Sequence, residues 1–148
     1  MVQFSRRLVM CFCVLGFVIP TSASLADDAA STSRIVLSGY DPVSYFTEGK
    51  PQQGLAELSA SYDNGTDWFK NADHRAMFVA NPDRYAPQFG GLCAIDLSRG
   101  IKTEPDPESW TIADGKLYVF GKKRGPSVFA EQGPSIVASA TKNWPAFK

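Results

Sequence analysis

Cysteine, histidine and methionine are scarce in this chain, with three, one and three residues respectively. Two of the cysteines, Cys11 and Cys13, lie inside the apolar run "LVMCFCVLGFVI" near the start, which leaves Cys93 as the only thiol in the rest of the sequence. One such thiol cannot close an intrachain disulfide, so Cys93 reads as a buried inert thiol, a ligand, or a bridge to a second copy. A C-x-x-C-H haem attachment is absent, as is the paired-cysteine pattern of a structural zinc site. Non-covalent haem ligation by His74, Cys93 or a tyrosine stays open. No G-x-S-x-G nucleophile turn occurs, and nothing supplies a nucleophile with a base and an orienting group, so the chain reads as a non-enzyme. Basic and acidic residues balance at 15 each, which gives no drive toward nucleic acid or an anionic membrane. The run "KKRG" at Lys122–Gly125 reads as a solvated helix start.

The apolar run spans twelve residues, short of the ~20 that a membrane span needs. Arg6 and Arg7 precede it, and Pro20 and small residues follow, with Ser24 and Ala26 at the small-residue positions before the cut, the layout of a secretory signal cut after Ala26. We therefore expect a signal peptide at 1–26, a flexible linker at 27–34 and one domain at 35–148. The mature protein is then exported, periplasmic or secreted, with no stable membrane anchor.

Within that domain the punctuation is clear. Ile35–Leu37 reads as a short strand, and Asp41-Pro42 as the cap of a short helix ending near Gly49. "DNG" at Asp63–Gly65 and "ADG" at Ala113–Gly115 each sit between β-prone runs and mark two hairpins. Asn71 caps a helix that ends at Asn81-Pro82. "LCAIDL" reads as extended, and Gly125 to Trp144 as one or two helices divided at Gly133-Pro134. The sequence shows no internal repeat. The fold class is α+β: a single small domain of β-hairpins and short helices with a helical C-terminal segment.

Four separated stretches, "GYDPVSYF", "DWFKNADHRAMFVANPDRYAPQFGGLCA", "DPESWTIADGKLYVF" and "NWPAF", together resemble the exported bacterial proteins of the YHS-domain family. The resemblance runs from Val36 to Phe147. It implies the fold above and a loose association with heavy-metal handling. Metal-type members carry F-C-S-x-x-C-x-x-x-F-x-x-x-P-x-x-Y. Phe69, Phe78, Pro82 and Tyr85 match that frame, Lys70 stands at the first cysteine and His74 at the second.

The candidate site follows from helical spacing. His74, Met77 and Phe78 share one face of a helix starting after Asn71, and Gly90-Gly91 would let the segment carrying Cys93 approach closely. Imidazole, thiolate and thioether are soft ligands, so His74, Cys93 and Met77 form a candidate site for copper or zinc, with Asp41 or Asp96 available as further ligands. Lys70 beside it would weaken cation binding. The alternative is a structural or interaction module binding a protein or small apolar ligand, with His74 and Cys93 as core residues and no metal. A dimer bridged through Cys93 is a further expectation.

Overall fold

The computed structural model describes residues 33–148. The expected signal at 1–26 and all of the linker except Ser33 and Arg34 lie outside the described residues. Among the described residues, five strands and five α-helices form an α+β domain with two small sheets. Strand β1 (Arg34–Ile35) runs parallel to β3 (Gly65–Phe69), which pairs antiparallel with β2 (Leu55–Tyr62). Strands β4 (Asp106–Ala113) and β5 (Lys116–Phe120) form the second hairpin. Helices are α1 (Ser44–Thr47), α2 (Ala72–Ala80), α3 (Pro82–Tyr85), α4 (Ala94–Ser98) and α5 (Gly125–Asn143).

Both hairpins form where the turn residues placed them. Asp63 and Asn64 in the first, and Asp114 and Gly115 in the second, all have positive φ. That geometry matches the right-handed twist of the flanking strands. Asn71 accepts the His74 amide at 2.8 Å and starts α2 as expected.

Three expectations are corrected. "LCAIDL" is not extended, because Cys93 caps α4 and its Sγ accepts the Asp96 amide. The segment after Ile35 leaves the strand at once for a left-handed turn. Gly133-Pro134 does not divide the last helix, and α5 runs unbroken for 19 residues. Glycine before proline has no Cβ to clash with the ring. The helix is also held down by a buried stripe of Phe129, Gly133, Ile136 and Ala140. Trp144 then folds back on Phe89, with ring centroids 6.4 Å apart.

The backbone traces one path twice, although the sequence shows no repeat. Leu37, Ser38 and Gly39 all lie in the left-handed region, and so do Phe89, Gly90 and Gly91. Each turn is closed by the same bond, Tyr40 amide to Leu37 carbonyl (3.0 Å) and Leu92 amide to Phe89 carbonyl (3.1 Å). The next residue then bonds forward, Asp41 amide to Gln52 carbonyl (2.8 Å) and Cys93 amide to Thr103 carbonyl (3.0 Å). A short helix follows, then a hairpin of an eight-residue and a five-residue strand with its irregularity at the same place. Last comes a helix, α2 in the first unit and α5 in the second. Asp41 is therefore the counterpart of Cys93, and Phe69 of Phe120. The two left-handed turns pack together, with Gly91 against Val36 and Leu37.

This contact makes a test. A Cβ on Gly91, whose φ is +73°, would stand 2.9 Å from Val36 Cγ1. Gly91→Ala should therefore cost about 2–3 kcal/mol, from left-handed strain plus overpacking, read as a lower urea midpoint at unchanged slope. Gly100→Ala, also at positive φ but with nothing near its Cβ, should cost only the strain of about 1–2 kcal/mol.

Candidate functional site

Helix α2 does turn His74 inward, and what it meets is Asp41. His74 Nδ1 lies 2.6 Å from Asp41 Oδ2. Asp41 is completely buried, and its carboxylate also accepts the amides of Val43 (2.8 Å) and Lys70 (3.0 Å). One carboxylate thus ties the first turn of α2, the end of β3 and the start of α1 together. These N–H groups satisfy the buried carboxyl oxygens, where an unpartnered carboxyl would be far more expensive to bury. On the other side of the ring, Nε2 is 3.5 Å from Thr47 Oγ1 and 3.9 Å from Glu48 Oε1. Glu48 is held by an ion pair with Lys70, which lowers the pKa of its carboxyl, the Lys70 hydrogen bond being the largest cause. A cation approaching Nε2 would meet the Lys70 ammonium there.

Cys93 is elsewhere in structural terms. It belongs to the cluster of Ala94, Tyr118, Phe120, Phe129 and Ile136, and none of its hydrogen-bond partners is shared with His74. Burial pushes the Cys93 thiol above its ordinary pKa, with the Asp96 and Gly121 amides opposing. A metal-binding thiolate needs the opposite shift. Met77 packs against the cluster of Val43, Phe69, Phe78 and Tyr85. The expected His74–Cys93–Met77 constellation is therefore not assembled. Among the described residues no group of three or more His, Cys, Asp or Glu is placed to hold a metal ion. The reason lies in Gly90-Gly91, which serves a left-handed turn packed on Val36 and Leu37 and does not bring Cys93 to α2. The two aspartates considered as extra ligands are split likewise, Asp41 with His74 and Asp96 with Cys93.

Asp41 reads from the sequence as a helix cap and as a further candidate ligand, and its part in the His74 pair was not legible there, because the contact joins residues 33 positions apart. Asp67 was missed altogether. It faces inward from β3 between Gly65 and Phe69, is 2% exposed, and its Oδ1 has no hydrogen-bond partner among the described residues. Burial is the main reason its pKa is pushed up to about 7, with Arg34 opposing and Asp41 adding to the rise.

A groove of about 520 Å³ runs between the β4–β5 hairpin and α5. Phe129, Ala130, Pro134 and Val137 form its apolar wall, with Tyr118 beneath and Lys116 at the hairpin end. Proline has no amide hydrogen, so Pro134 cannot donate to the Ala130 carbonyl one turn earlier, which leaves that acceptor without its helical donor.

No protein-family model, no curated protein and no solved structure matches this chain. Among the described residues no helix is long and apolar enough to cross a membrane.

Proposed function

We propose that this chain is an exported YHS-like binding module that takes a small, largely apolar ligand in the groove between the β4–β5 hairpin and α5, with His74 and Cys93 serving the fold. The observation that carries the reading is that groove. Its volume of about 520 Å³ lies inside the range of ~300–1,000 Å³ common for small-molecule sites. Its α5 wall is apolar, and the hairpin side adds the Thr111 hydroxyl, the Asp114 carboxylate and the Lys116 ammonium as groups that can orient a guest. The module reading gains further support from the soft side chains, which are already engaged: His74 with Asp41, and Cys93 as the cap of α4.

Nile red, a neutral dye sensitive to apolar surroundings, tests it. The full chain should bind the dye saturably, and Ala130→Glu, which sets a carboxylate on the exposed groove wall, should abolish binding while moving the melting temperature by no more than a few degrees. Equal binding by the variant would remove the groove. The metal reading has its own arm, titration with Cu(I), Cu(II) and Zn(II) beside His74→Ala and Cys93→Ser. Stoichiometric uptake lost in both variants would restore it.

A further inference from the structure

The doubled backbone path makes a difference between its two halves visible. In the first unit the space beside the left-handed turn is closed by the protein itself. His74, five residues beyond Phe69, reaches Asp41 and fills it. In the second unit the residue five beyond Phe120 is Gly125, which has no side chain to offer. Nor could it carry one, since a Cβ there would lie 2.2 Å from Phe120 Cβ. A cavity of about 90 Å³ is left above Cys93, floored by Cys93 and Phe120. That is about three times the ~30 Å³ a water takes in the liquid, enough for one small polyatomic ion reaching out to the rim.

The rim is cationic. Arg99 from the end of α4, and Lys122 and Arg124 from the approach to α5, all line it, with Asp96 as the one carboxylate. None of the three cations is in an ion pair among the described residues. "KKRG" on its own reads as a solvated helix start, but the fold brings Arg99 to it across a concave surface. Three unneutralised cations around a small concavity favour an anion, and guanidinium forks suit oxyanions in particular.

We propose that the cavity over Cys93 is a binding site for a small tetrahedral oxyanion of the phosphate or sulfate type, held by Arg99, Lys122 and Arg124. Cys93 forms its apolar floor. The site is separate from the apolar groove and does not depend on that reading.

The test is an amide NMR titration of the full chain with sodium phosphate, against sodium chloride at matched ionic strength. Saturable shifts confined to Gly121, Gly125, Val128 and their neighbours are expected with phosphate and not with chloride. The triple variant Arg99→Gln, Lys122→Gln, Arg124→Gln should weaken phosphate roughly tenfold or more, because charge-assisted bonds contribute most of the affinity. Lys142→Gln, an exposed cation near the far end of α5, should change nothing. Shifts that follow ionic strength alone, that scatter over all exposed lysines, or that persist in the triple variant would overturn the proposal. The substituted side chains are exposed, so the fold survives their replacement, and the wild-type comparison of phosphate with chloride decides independently of any variant.

Discussion

Replacing Asp67 with asparagine should stabilise the protein at pH 8 and leave it little changed near pH 4. Asp67 sits 2% exposed on the inner face of β3, and its Oδ1 has no partner among the described residues. Its folded-state pKa of about 7 stands above the ordinary 3.8. Folding therefore takes up a proton between those two values, and stability falls as pH rises through that window. Below about pH 4 both states hold the proton and no penalty exists. Above about pH 7 both have lost it, and the folded state carries a buried charge. Three pK units correspond to an upper limit of about 4 kcal/mol, or a shift in melting temperature on the order of 10 °C for a domain of this size. Melting curves from pH 4 to pH 8 should slope downward for the wild type and be nearly flat for Asp67→Asn. Parallel curves would show that the carboxyl is solvated in solution. The counterpart of Asp67 in the second hairpin is Tyr118, a largely apolar side chain buried at the same position.

Asp41→Ala should be the most damaging single substitution, at about 3–5 kcal/mol in urea unfolding. It would strand the Val43 amide, the Lys70 amide and the His74 ring N–H, three donors that converge on one fully buried carboxylate. Each stranded buried donor costs on the order of 1–3 kcal/mol, less whatever water can recover. His74→Ala should cost less, because Asp41 would keep its two backbone donors. In the double variant the costs should fall short of additivity by about 1–3 kcal/mol, the coupling expected of a directly bonded pair. If Asp41→Ala lost under about 1 kcal/mol, the network would not be holding the first unit together. The same cycle bears on the metal question, because a His74 that mainly served a metal would show little coupling to Asp41 in metal-free buffer.

Much of the fold was legible in local chemistry. Asp63-Asn64 and Asp114-Gly115 tolerate the positive φ that a tight hairpin requires, and Asn71 supplies the oxygen that a helix start needs. These are decisions taken within four or five residues, and sequence reports them well. The inward turn of His74 was legible too, since helical period alone puts it on the face of Phe78, and both are buried. What it faces was not, because that depends on a turn formed far upstream. Cys93 was misplaced for a related reason. A Gly-Gly pair permits both a close approach and a left-handed turn, and only packing against Val36 and Leu37 selects the second.

The doubled path is the clearest division between the two levels. Its identity lies in backbone bonds, turn φ values and strand lengths, which many side chains satisfy, so few residues repeat, among them Gly39 and Gly91, Asp63 and Asp114, and Phe69 and Phe120. The sequence by itself determined the α+β class, the two hairpins, the start of α2 and the scarcity of soft ligands. Only the tertiary structure decided that His74 closes on Asp41, that Cys93 lies under a cationic rim and that Asp67 is stranded. Those outcomes depend on which buried groups meet across long stretches of chain, and partner and dielectric are properties of the assembled core that no local pattern carries.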